Sequence, residues 1–206
     1  MMLPTIFLVS VRDNFGSSVA IDGNTAIVSA HGDDDNGELS GSAHIFVRDG
    51  VTWSHQAKLL APVGAAGDFF GYSVAIYGNT AIVSAQHDDD NGYKSGSAHI
   101  FVQNGVTWLH QKKLVAPDGA ANDRFGHSVA IYGNTAIVSA QYDDDNGESR
   151  GSAHVFVRNE VTWSPHAKIL APKSGEAFGQ SVSIYNGTII SGSYSGGSGE
   201  AVSSRW

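Results

Sequence analysis

One feature governs what this chain can fold into: it repeats itself. Phe-Gly recurs at Phe15-Gly16, Phe70-Gly71, Phe125-Gly126 and Phe178-Gly179, at spacings of 55, 55 and 53 residues, and a Ser-Val pair follows each. The copies are close to verbatim. Residues 73–86 and 128–141 are the same fourteen-residue segment, and residues 18–30 depart from it only at Asp22. A period of this length means that one supersecondary unit is reused, with neighbouring units burying each other's apolar faces.

Within the second copy the pattern predicts four short strands, at 72–77, 80–85, 97–102 and 107–116. Turn chemistry separates them: Tyr77-Gly78-Asn79, a polar loop from Asp88 to Gly96, Asn104-Gly105, and a connection over 116–123. The first two strands are small or β-branched on both faces, as strands buried between sheets should be. The last carries Trp108, His110, Gln111, Lys112 and Lys113, the polar dressing of an exposed edge. Such units predict an all-β chain, a β-propeller of four-stranded antiparallel blades. The blades fall at about 15–69, 70–124, 125–177 and 178–206 of a single domain spanning 1–206, the last copy supplying only three strands. Residues 5–11 occupy an outer-strand position ahead of the first blade. If they complete the last blade, the expectation is about four blades closing into a monomeric ring; otherwise the chain is a fragment of a larger propeller with open edges.

With 206 residues, 41% hydrophobic and 16% charged, the chain can bury a real core. No cysteine means no disulfide, no thiolate nucleophile and no sulfur-ligated zinc. Twelve Lys+Arg against twenty Asp+Glu disfavour a phosphate backbone as partner, leaving cations or neutral polar ligands. The apolar run Ile6–Val9 is too short to span a bilayer and lacks a basic lead-in, so neither membrane insertion nor a targeting segment is expected. There is no Gly-x-Ser-x-Gly, no phosphate-cradling loop and no His-Glu-x-x-His, so no enzyme is expected.

Nine of the twenty acidic residues lie in three equivalent loops: Asp33-Asp34-Asp35-Asn36-Gly37, Asp88-Asp89-Asp90-Asn91-Gly92 and Asp143-Asp144-Asp145-Asn146-Gly147. Each triplet has two readings. Adjacent carboxylates repel unless a hard cation such as calcium binds them through oxygen; alternatively they build a solvated turn, Asp capping backbone N–H groups and Asn-Gly supplying positive φ. Counting from Asp33 puts Gly37 where a calcium loop wants a ligand, so the register is off by one. The connection into each next unit brings Asp13, Asp68, Asp118 and Asp123 to the same face, which with Asn36, Asn91 and Asn146 makes it the candidate ligand surface. His44, His99 and His154 are equivalent but sit on separate blades, more than about 10 Å apart, and cannot share one ion's bonds of about 2 Å. They are expected as strand-face side chains. Trp53, Trp108 and Trp163 are expected to wedge between sheets rather than to stack on sugars.

Asp68, Phe70-Gly71, Ser73-Val74-Ala75 and Gly96-Ser97-Ala98-His99-Ile100-Phe101 together resemble the FG-GAP repeats of integrin α-chain propellers and of bacterial extracellular proteins, the bacterial branch more closely. Ile82-Val83-Ser84-Ala85 stands where the family usually has Gly-Ala-Pro. The resemblance implies an extracellular or cell-surface location, a protein or glycan partner, and calcium as a possible cofactor. It places the family's calcium loop between the first and second strands, where this chain has only Tyr77-Gly78-Asn79, so the acidic triplets fall on the opposite face. The leading expectation is therefore a non-enzymatic interaction or adhesion module working through its acidic loop face. Its rivals are a calcium-assisted, lectin-like propeller and a structural spacer without ligand.

Overall fold

The structure is a computed structural model and describes residues 10–145, 147, 149–170, 177–195 and 198–205, from residue 194 onward by backbone alone. The first sheet comprises β1 (Phe15–Asp22), β2 (Thr25–Ala30), β3 (Ser42–Asp49) and β4 (Thr52–Leu59). The second comprises β5 (Phe70–Tyr77), β6 (Thr80–Ala85), β7 (Ser97–Asn104) and β8 (Thr107–Leu114), and the third β9 (Phe125–Tyr132), β10 (Thr135–Ala140), β11 (Ser152–Asn159) and β12 (Thr162–Leu170). A last sheet holds β13 (Ser181–Tyr185), β14 (Thr188–Ser195) and β15 (Ser198–Arg205). Every sheet is an antiparallel meander in chain order, and no helix occurs among the described residues. These are the blades of a β-propeller.

Side-chain alternation decides how the blades stack. In β5, Val74 and Ile76 point back to the first blade and pack with Ile27, Ala43, Ile45 and Leu59. Ala75 and Tyr77 point forward, joining Ile82, Ile100 and Leu114 against Val129 and Ile131 of the third blade. The third joint repeats this with Ala130, Ile137 and Val155 against Ile184 and Ile189. The second strand, flanked by sheets on both sides, is buried along its whole length in β6, whereas the outermost β8 is largely exposed. The contrast follows from the apolar run of one and the lysines of the other.

The first three inner strands open with a bulge at Phe-Gly, where the register slips between Phe70 and Val74, between Phe15 and Val19, and opposite Val138 and Ala140 in the third blade. The bulge needs glycine for two reasons. Gly126 has φ of 94°, and a Cβ there would lie 2.5 Å from the Ser97 carbonyl oxygen of the preceding blade. The Phe that precedes it is fully buried at Phe70 and Phe125.

The expected closure into a four-blade ring is not found among the described residues. Residues 5–9 of the proposed closing strand lie outside them, and Ser10 and Val11 are not in a strand. On the first blade Val19 and Ile21 are 64% and 63% exposed, where their counterparts Val74 and Ile76 are 5% and 7%. The fourth blade likewise leaves Tyr185 72% exposed. Among the described residues, the outer faces of the first and fourth blades have no neighbouring sheet.

Candidate functional site

The acidic triplets sit where β2 turns into β3, β6 into β7 and β10 into β11. Their three carboxylates have separate tasks. Asp88 is buried and acts as a hub: its Oδ1 accepts the Asp90 N–H at 3.0 Å, while its Oδ2 accepts the Ser97 hydroxyl at 2.7 Å and meets the Lys113 ammonium at 2.6 Å. Asp89 is exposed and closes the loop by accepting the Lys94 N–H at 2.6 Å. Asp90, also exposed, holds the other side of the Lys113 ammonium. The first blade repeats the set through Lys58, 2.6 Å from both Asp33 and Asp35, with Asp34 accepting the Leu39 N–H at 2.8 Å. The third repeats it through Lys168, at 2.7 Å from Asp143 and 2.6 Å from Asp145.

A lysine from the outer strand thus occupies the point between the first and third aspartates. The ion pair is visible only once strands are paired, because Lys58 is reached through its register opposite His44. Burial alone would raise the Asp88 carboxyl; the bonds from Lys113, Asp90 and Ser97 more than reverse it and hold it below the usual carboxylate range. Asp143 is held well below that range in the same way, with His154 and Lys168 opposing burial. Glycine at the end of each loop supplies the positive φ: 123° at Gly37, 120° at Gly92 and 118° at Gly147. Of the two readings of the triplets, the loops display the capped N–H groups and positive-φ glycines of a turn, with the first aspartate of each buried rather than solvated.

Beside the lysine runs a chain of hydrogen bonds that the sequence did not announce, buried at Ser97 and His99 and reaching the exposed His110. Ser97 Oγ gives its only proton to Asp88, so at its 3.3 Å contact with His99 it accepts from Nε2–H. His99 Nδ1 is then the acceptor for His110 Nε2–H at 3.1 Å. The first blade has the same order through Ser42, His44 and His55. In the third blade Ser152 meets His154 in the same way at 3.0 Å, and Pro165 stands opposite Phe156 where His110 stands opposite Phe101. Burial, then Lys58, pushes His44 down to about 4; burial, then His110, pushes His99 down to about 3. Both imidazoles are neutral at neutral pH. They are strand-face side chains, each on its own blade, as the spacing implied.

The remaining candidates assemble at the blade junctions. Asp68 and Asp123 are buried, each capping its own connection by accepting the N–H of Ala65 or Ala120 at 2.7 Å, and burial raises both carboxyls. Asp118 is exposed and crosses to Lys168 at 2.9 Å. Asn36 and Asn91 are exposed beside the triplets, and Asn146 lies outside the described residues. Asp13 accepts the Ser10 N–H at 2.7 Å ahead of the first blade. The two loop sets are laced together, Phe70 N–H donating to Ser40 at 2.9 Å and Phe125 N–H to Ser95 at 2.9 Å.

Between the laced loops open two equivalent grooves. One, of about 290 Å³, is lined by Phe69, His87, Asp89, Tyr93 and Lys94; the other, of about 300 Å³, by Asp123, Arg124, Tyr142, Asp144 and Ser149. Each combines rings with carboxylates and a cation, and in the second the Arg124 guanidinium lies 4.7 Å from the Tyr142 ring centre. Trp108 and Trp163 take no part: they are buried as wedges, their indole N–H groups donating to Gln56 at 3.0 Å and Gln111 at 2.9 Å of the preceding blade. Trp53, which has no preceding blade among the described residues, is 39% exposed.

Among solved structures, the chain is similar to the six-bladed β-propeller lectin of the fungus Aleuria aurantia (14% identity, TM-score 0.49, covering 92% of this chain and 60% of the lectin). It is also similar to the phage phi92 endosialidase (11%, 0.42, covering 85% and 30%) and to an endo-arabinanase from Bacillus licheniformis (12%, 0.48, covering 97% and 74%). The chain thus spans 60% of the lectin and 30% of the endosialidase. No curated protein matches it. The repeat itself is matched three times, over residues 9–46, 53–101 and 108–156, more than half of the sequence and including all three aspartate triplets, so this chain belongs to the FG-GAP repeat family.

Proposed function

We propose that this chain is a non-enzymatic interaction module of the cell exterior, which holds a protein or glycan partner on the face formed by its aspartate loops and junction grooves. The observation that carries this reading is repetition of one exposed constellation. Asp34, Asp89 and Asp144 stand at equivalent points beside the junctions of neighbouring blades, on loops laced to a rigid scaffold. Several weak contacts at fixed spacing add up by avidity, so a partner with repeated hydroxyl or cationic groups fits best.

The rings and mixed charges of the two grooves favour a glycan among such partners. On this reading the binding needs no calcium, because the Lys58, Lys113 and Lys168 ammonium groups already occupy the point between the first and third carboxylates of each triplet. A non-enzymatic role is supported by the buried Ser97–His99–Asp88 chain. Its serine is fully buried and gives its proton to the carboxylate, leaving no hydroxyl that a histidine base could activate.

The test is a glycan array together with a pull-down from cell-surface extract, each run in calcium and in chelator. Changing Asp34, Asp89 and Asp144 together to Asn, which keeps the acceptors that close the first two loops, should lower capture by about tenfold or more. Capture that is unchanged in that variant overturns the assignment of this face, and capture abolished by chelator restores the calcium-assisted alternative. No partner on either platform leaves the spacer reading.

A further inference from the structure

One backbone bond laces the aspartate loop to the following connection at three junctions: Phe69 N–H donates to the Leu39 carbonyl at 3.1 Å, Arg124 N–H to that of Lys94 at 3.1 Å and Ala177 N–H to that of Ser149 at 3.0 Å. All six residues have positive φ, between 51° and 57°, so the frame is fixed while the side chains on it vary. Of these three junctions, only the second puts a cation at both positions. Lys94 and Arg124 are half-buried, with Lys94 Nζ 5.0 Å from the centre of the Tyr93 ring and the Arg124 guanidinium 4.7 Å from that of Tyr142. Among the described residues neither head group has a carboxylate or hydrogen-bond partner, whereas Lys58, Lys113 and Lys168 are paired to aspartates and Arg48 and Arg158 bond Asn24 and Asn134. Asp89 Oδ1 accepts the Lys94 N–H at 2.6 Å and leaves the ammonium alone. Both positive fields reach His87: burial, then Lys94 and Arg124, push its pKa down to about 4, and its buried Nε2 has no hydrogen-bond partner among the described residues. Two neighbouring cations without partners run against the net charge of −8.

We propose that the second junction holds the carboxylate of an acidic sugar between Lys94 and Arg124. The inference rests on the glycan reading of this face and narrows it. A guanidinium stacked on a ring keeps its N–H edges free, in a planar fork that fits the two oxygens of a carboxylate, and the ammonium adds a second charge. Neighbouring cations repel, and an anion between them removes that cost. His87 Nε2 supplies a further polar contact for a sugar hydroxyl, one that no described protein group uses. At the first junction Leu39 and Phe69 occupy the same frame without charge. A glycan lying across the face is therefore read as neutral at one junction and as acidic at the next.

The test is calorimetric titration with a hexuronate oligomer and with the same oligomer after reduction of its carboxyl groups to alcohols. The unmodified chain should bind the acid form at least about tenfold more tightly than the neutral one. Lys94→Leu combined with Arg124→Phe installs the residues that the first junction already carries on this frame, so the fold is kept, as circular dichroism should show. That variant should lose the preference and keep the affinity for the neutral oligomer; Lys94→Gln with Arg124→Gln should do the same. Arg48→Gln with Arg158→Gln makes an equal charge change on the opposite face and should keep the preference. Equal affinity of the unmodified chain for both oligomers overturns the carboxylate site while leaving the glycan reading intact. A preference that survives both junction variants, or one lost equally in the Arg48 and Arg158 variant, also overturns it. Binding of neither oligomer overturns the site and counts against the glycan reading as well.

Discussion

Asp88 and Asp89 are adjacent and chemically identical, yet their environments set them far apart. Asp88 answers Ser97, the Asp90 N–H and Lys113 from a buried position, whereas Asp89 answers one N–H from the surface. Asp88→Asn should therefore cost about 2 kcal/mol, and Asp89→Asn less than about 0.5, as chemical denaturation of the two variants would show. The histidines add a pH dependence of definite sign. His44 and His99 have folded pKa values of about 4 and about 3, below the ordinary imidazole value, so the unfolded chain takes up protons that the native one refuses. Stability should fall as pH drops below about 6.5, with His99 contributing a slope of up to about 1.4 kcal/mol per pH unit down to its folded value. Asp88, held below the carboxylate range, adds its own loss only at more acidic pH. Melting temperatures from pH 7 to 4 should show the slope, and His99→Gln should flatten it. This network was hidden in the sequence for a geometric reason. The bulge between Ile100 and Phe101 sets His99 opposite Lys113 and His110 opposite Phe101, so counting by twos along β8 does not bring the two histidines together.

The strands and their turns, by contrast, were legible because their signals are local. Asn104-Gly105 marks a hairpin, the run Thr80–Ala85 has no polar face, and the lysines of β8 advertise an edge; the structure has a turn, a buried strand and an exposed strand at those places. The family's Phe-Gly was legible as a landmark, but its cause lies in a neighbouring blade. Gly126→Ala should cost about 3 kcal/mol or more, because the positive φ and the approach to Ser97 both oppose a Cβ. Gly105→Ala, at φ of 64° in open space, should cost only about 1 kcal/mol. Thermal unfolding of the pair would separate a hairpin glycine from a joint glycine. Trp108→Phe tests the wedge: it keeps most of the ring and loses the bond to Gln56, about 1 kcal/mol.

For the whole molecule, charge balance and blade stacking set the behaviour in solution. Three triplets, each with a lysine ammonium already seated between its first and third carboxylates, predict that calcium at about 1 mM and chelator give the same melting temperature; a site with a dissociation constant of about 0.1 mM would instead add about 1.4 kcal/mol. The number of blades was legible from the period, because each Phe-Gly starts one. Closure was not, since it depends on which faces meet in space, and Val19 and Ile21 look no different in the sequence from Val74 and Ile76. The near-verbatim joints also bear on the route by which the chain folds. The third blade's backward face suits the first blade's forward face almost as well as the second blade's does, so a nascent chain can skip a blade and trap it as a loop. Refolding should therefore be slowed by misregistered intermediates that only backtracking resolves, a kinetic cost of reusing one joint three times.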